Sequence, residues 1–129
     1  MTNFGKQMFT WMKDLFPVCR SLTGDGVDET LSYLKNKIGI KINILKFKTG
    51  QKVFDWTIPE VWNIKDGYIK TLSGKKIVNF KDNNLHVVGY STAVNKIILR
   101  KDLLKHIYTQ TNQPNSIPYV TSYYKRRWG

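Results

Sequence analysis

An α+β organisation is what this sequence predicts, with helices first and a small β-rich module after them. Three observations predict it. Apolar residues recur at helical spacing through the first third of the chain. From residue 40 they alternate with polar ones instead. Turn-forming pairs then recur at short intervals and bound about five short segments, and runs of helices followed by runs of strands indicate α+β or a β module inserted into an α/β domain.

The elements follow in order. Residues 4–16 place Phe4, Met8, Trp11, Met12 and Leu15 on one face, with Lys6, Gln7, Lys13 and Asp14 off it. That face predicts a core-facing helix; a membrane-surface helix would carry a stronger basic face than two lysines. Pro17 stops it. In VCRSLTGDG, residues 18–26, Ser21, Thr23 and Asp25 offer capping oxygens, and Gly24 and Gly26 permit positive φ. A second helix has Val27, Leu31 and Leu34 inside, Asp28 and Glu29 in its first turn, Lys35 and Lys37 in its last, and Gly39 as its stop.

Ile40, Ile42 and Ile44 alternate with Lys41 and Asn43, which predicts a half-buried strand to about Phe47. Thr49-Gly50 is a turn. Further strands are predicted over Val53 to Ile58, Asn63 to Lys70, Lys76 to Phe80 and Leu85 to Tyr90, with a hairpin turn at Ser73-Gly74 and a turn at 82–84. Residues 100–108 read as a short helix, 109–116 as a polar loop. The final stretch, IPYVTSYYKRRWG, is aromatic, β-prone and basic, without a turn or cap. Tyr119, Tyr123, Tyr124 and Trp128 there want a partner surface, because each aromatic ring buries on the order of 150–250 Å². That surface is expected either elsewhere in the chain or beyond it.

Composition narrows the class. At 129 residues, with 41% hydrophobic and 13% aromatic content, the chain is long enough for one domain with a core. The single Cys19 excludes an internal disulfide and a cysteine zinc cage. No secretory signal and no apolar run of membrane-spanning length are present, so a cytoplasmic protein with no membrane partner is expected. The net charge of +12 invites a nucleic-acid partner. Yet 17 of the 21 basic residues are lysines spread along a chain also rich in Asn and Ile, as an AT-rich genome produces. The one dense run is Lys125, Arg126 and Arg127, and no acidic residue follows Asp102.

No complete catalytic constellation is visible, so no residue is assigned a catalytic, cofactor-binding or metal role. His86 and His106 lie 20 positions apart, without metal-ligand spacing, and read as structural or surface residues. Cys19 beside Arg20 would gain reactivity if the two side chains met, but no orienting third group accompanies it. TGDG at 23–26 opens a helix without the phosphate-loop pattern, and Asp25 and Asp28 would repel an anion, so it reads as a cap and turn. Asp55, Glu60 and Asp66 offer carboxylates for acid–base work or a binding rim. Trp56 and Trp62 around Pro59 read as a packed corner.

Taken together, LFPVCRSLTGDGVDETLSYL, VFDWTIPEVWNIKDGYI, NFKDNNLHVVGYS and IPYVTSYYKRRWG resemble a family of prokaryotic proteins with an aminopeptidase-like domain, some named polysaccharide-biosynthesis proteins. The resemblance covers nearly the whole chain in order. It implies a zinc-exopeptidase-like α/β domain, incomplete here, to which residues 1–38 give the first helices. Residues 39–113 would be an inserted β-rich module, and residues 114–129 the return segment. It implies a zinc-dependent hydrolase acting on a peptide-like or small-molecule substrate, with His, Asp and Glu ligands outside this chain, so that no zinc is held here. It carries no role onto Arg20, Thr23, Asp25 or His86. It also implies an exposed apolar surface on the N-terminal helices and the tail. The alternative is a small basic module that binds nucleic acid or a protein partner, the latter through Trp56 and Trp62.

Overall fold

The computed structural model describes residues 3–128, in two compact units, Met1–Lys65 and Asp66–Gly129. The helices and small antiparallel sheets make it α+β, as the change of period predicts.

In the first unit, α1 spans Phe4–Leu15 and α2 spans Asp25–Ile38. Asn3 caps α1, its side chain accepting from Lys6 N–H at 3.1 Å. Gly39 ends α2 in the left-handed region at φ 71°, where a side chain would be strained. The two helices are tied by Tyr33, whose hydroxyl donates to the Asp14 carboxylate at 2.5 Å. Strands β1 (Lys52–Val53) and β2 (Trp56–Thr57) pair antiparallel, Lys52 opposite Thr57 and Val53 opposite Trp56. Gly50 N–H to Ile58 O and Ile58 N–H to Gln51 O continue the ladder at 2.9 and 3.0 Å.

In the second unit, β3 (Tyr68–Lys70) pairs with β4 (Lys76–Asn79) around the Ser73-Gly74 turn, with an irregularity between Ile69 and Lys70. A 3-10 turn follows at Asn84–His86, and α3 spans Arg100–Leu103 before a second 3-10 turn at Leu104–His106. Tyr90 is the centre of this unit's packing, 2% exposed. The segment around it pairs with the tail: Ser91 and Arg127 form a parallel bridge, and Thr92 N–H donates to Arg127 O at 2.8 Å.

Several expectations need correction. Residues 40–47 alternate but form no strand, because alternation defines two faces without supplying a ladder partner, and among the described residues none pairs with them. Val53 to Ile58 is not one strand but a hairpin that turns at Phe54-Asp55, with Phe54 at φ 54°. Closing that short ladder outweighs the cost of a phenylalanine at positive φ. Residues 63–67 stay irregular ahead of β3, Gly67 N–H being held by Asp66 Oδ1 at 2.8 Å. Leu85 to Tyr90 is no strand either: the Asn83 side chain accepts from Leu85 N–H at 2.9 Å and curls the chain into a 3-10 turn. The tail does contain a turn, with Lys125 N–H donating to Ser122 O at 3.1 Å and both Tyr123 and Tyr124 at positive φ.

Few side chains are buried among the described residues. Among the described residues only Leu15, Tyr90 and Ser122 are buried, and on α1 the predicted inner face leaves Phe4, Met8 and Met12 exposed. An exposed apolar surface on the N-terminal helix and on Tyr119 and Tyr123 of the tail is therefore present, as the family resemblance implies.

Candidate functional site

The densest polar arrangement in the first unit forms where the 17–26 connection meets residues 62 and 63. The Thr23 hydroxyl accepts from Trp62 N–H at 3.1 Å. The Asn63 side chain accepts from Asp25 N–H at 2.8 Å, satisfying an amide at the start of α2 from 38 positions away. Glycine is required at both positions of the TGDG turn. Gly24 sits at φ 96°, and a Cβ there would overlap the Asn63 side chain and the Trp62 carbonyl. A Cβ on Gly26 would overlap the Cys19 carbonyl. The turn is thus a packing node, and Asn63 stands at the helix start where a bound anion would have to lie.

Cys19 is not an activated nucleophile. Burial pushes its thiol pKa up from the ordinary 9.0, opposed by a smaller effect of a backbone hydrogen bond at Ser21. Arg20, the candidate activator, instead directs its guanidinium to the Leu15 carbonyl at the end of α1, where a cation complements the helix dipole.

Each histidine holds backbone in place. His86 Nδ1 lies 3.0 Å from Asn79 O, and His106 Nδ1 lies 2.8 Å from Trp128 O. The His106 ring stacks on the Trp128 ring at 3.7 Å, while Lys96 Nζ sits 3.9 Å from the same ring's centroid. Tyr124 meets Tyr90 edge-on at 5.8 Å. Two of the four tail aromatics therefore find their partners within the chain, while Tyr119 and Tyr123 remain exposed.

Asp55 occupies the tip of the β1–β2 hairpin in the first unit, and Asp66 pairs with Lys81 at 3.7 Å on the surface of the second. Among the described residues no three His, Cys, Asp or Glu side chains come together as metal ligands do. Trp62 is half-buried in the packing node, whereas Trp56 stays exposed, so the packed corner holds for Trp62. The basic run is not a uniform cationic surface: Arg127 donates to Thr121 O at 3.3 Å and lies 5.6 Å over the Tyr108 ring. No helix among the described residues is long and apolar enough to cross a membrane.

Asn63, Tyr33 and Arg127 are the contact-making residues that sequence reasoning missed. Their partners lie far along the chain or carry no local pattern.

Comparison with known proteins adds what the geometry alone does not hold. The family described as a domain of unknown function, DUF2172, matches residues 61–129, just over half of the chain. A Clostridium acetobutylicum protein, provisionally named a polysaccharide biosynthesis protein with aminopeptidase-like domain, is 43% identical over 125 residues. That match covers 97% of this chain and 28% of the relative's length. A crystal structure of a provisionally assigned peptidase from Clostridium acetobutylicum superposes with a TM-score of 0.90 at 43% identity, covering 98% of this chain and 29% of that one.

Proposed function

The chain belongs to the DUF2172 family, and from that premise we propose that it forms the N-terminal part of a zinc-dependent, aminopeptidase-like hydrolase while supplying none of the metal ligands itself. The observation that carries the reading is the likeness to the aminopeptidase-like relative across 97% of this chain. The scattered histidines and carboxylates support the second half of it. On this reading the zinc-exopeptidase-like domain is completed by the longer polypeptide, and the β-rich stretch 39–113 is a module within it. The substrate is peptide-like or another small molecule, and the location is cytoplasmic. The chain's own contribution is scaffolding: the 17–26 node fixes α2 against residues 62–63, and the tail closes on Tyr90. A metal that activates water is needed for this class of hydrolysis, so the chain alone is inactive.

The test joins this chain to the part of the Clostridium acetobutylicum relative that it does not match. Hydrolysis of aminoacyl p-nitroanilides by that fusion should be lost on chelation and restored by zinc. The 129-residue chain alone should retain no stoichiometric zinc and show no hydrolysis. Zinc bound one to one by the chain alone, or a zinc-loaded fusion inert towards every aminoacyl substrate, would overturn the reading.

A further inference from the structure

Helix α1 carries more apolar surface than its own chain covers. On a wheel of about 100° per residue, Trp11, Leu15, Met8, Met12, Phe16 and Phe9 follow one another round an arc of about 160°. The chain covers part of one edge of that arc, where Leu15 is buried and Trp11 half-buried, while Phe4 between them is 68% exposed. The other edge is largely exposed: Met8 is 65% exposed, Phe9 57%, Met12 58% and Phe16 64%. Lys6, Thr10, Lys13 and Asp14 occupy the opposite side.

Gly5 falls on the exposed edge, three and four positions before Met8 and Phe9. A glycine inside a helix costs about 1 kcal/mol relative to alanine. Among the described residues nothing requires one there. A Cβ on Gly5 would meet Asn3 Oδ1 at an ordinary 3.6 Å, unlike those on Gly24 and Gly26. The missing Cβ leaves room for a close approach to the backbone from outside.

The total surface points the same way. A folded monomer of 15.1 kDa exposes about 7,100 Å², and two separate bodies of half that mass about 8,500 Å². This chain exposes 11010 Å². The excess over even two separate bodies, about 2,500 Å², exceeds what each partner contributes to a standard interface.

We propose that the arc of Met8, Phe9, Met12 and Phe16, with Gly5 at its head, docks an apolar element of the longer polypeptide, seated with its backbone close to Gly5. The occupant is a segment of the same polypeptide because the relatives that match nearly all of this chain are longer, 28% and 29% of their lengths being covered. The proposal rests on the hydrolase reading for that polypeptide, but its test is separate.

Dilute peroxide, with the products read by mass spectrometry, reports the exposure of Met8 and Met12. In the 129-residue chain both should oxidise readily. In the fusion described above they should oxidise about tenfold more slowly. Gly5→Leu in the fusion should restore the fast rate, while in the 129-residue chain it should leave the helical circular dichroism unchanged. Equal rates in fusion and isolated chain overturn the proposal. So does protection of the isolated chain that grows with its own concentration, which identifies a second copy, or that appears on adding phosphatidylglycerol vesicles, which identifies a lipid surface. If the fusion folds poorly, the unmatched part of the relative is added as a separate polypeptide, and absence of protection then overturns the proposal in the same way. Protection without hydrolysis overturns the hydrolase reading alone; hydrolysis without protection overturns the docking alone.

Discussion

Three glycines illustrate how much of a residue's role is set by what its missing side chain would meet. Gly24→Ala should destabilise the first unit by about 1–3 kcal/mol, since it forces a side chain at φ 96° into the Asn63 and Trp62 backbone and side-chain atoms. Gly26→Ala should cost a similar amount, because the obstructing Cys19 carbonyl is backbone and cannot turn aside. Gly5→Ala should stabilise the isolated chain by about 1 kcal/mol. Urea unfolding followed by far-ultraviolet circular dichroism separates the three. Tyr33 gives a second prediction at this scale. Its donation to Asp14 is the main cause of a pKa pushed up from 10.0 to about 12, with burial and the Asp14 charge adding less. The protonated phenol is the bonded form, so its stabilising contribution is fully present below about pH 10 and is lost as the pH rises through about 12. Absorbance titration near the phenolate band should lose one late-titrating tyrosine in Tyr33→Phe, and shift it earlier in Asp14→Asn.

Among the elements, the most distinctive is α2, whose N-terminal amide is satisfied by a residue remote in sequence. Asn63→Ala should cost about 1 kcal/mol, and amide exchange should speed first at Asp25 rather than along the whole helix. A uniform speeding of exchange through α2 would instead mean that Asn63 only holds the unit together. Such remote partners mark where the sequence stops being readable. The bounds of α1 and α2 were legible because helical spacing, Pro17 and Gly39 are local signals. The β3–β4 hairpin was legible from Ser73-Gly74. The Phe54-Asp55 turn was not, because phenylalanine does not favour the positive φ found at Phe54 and the pairing of Lys52 with Thr57 decides it. Residues 40–47 misled in the opposite sense, having a strand's alternation and no strand to join. The histidines were legible as structural or surface residues from their spacing, whereas the stacking of His106 on Trp128 depends on a contact 22 positions apart.

At the scale of the whole molecule, the surface exposed far exceeds that of a self-sufficient 15.1 kDa monomer, and among the described residues only three are buried. The isolated chain should therefore unfold with low cooperativity, and its heat-capacity change should fall well below the roughly 12–15 cal/mol/K per residue of ordinary domains. Calorimetry giving a sharp transition with an ordinary heat-capacity change would contradict this. The bridge between Ser91 and Arg127 carries a further consequence, for synthesis rather than for stability. Tyr90, the most enclosed side chain, leaves the ribosome long before the residues that pair with its segment. At roughly 5–20 residues per second, the 36-position interval between Ser91 and Arg127 takes about 2–7 s to translate. Throughout that window the nascent chain presents an unpaired aromatic centre to chaperones. Ribosome-bound chains stalled before Arg127 emerges should expose Tyr90 to protease, and those stalled after it should shield it.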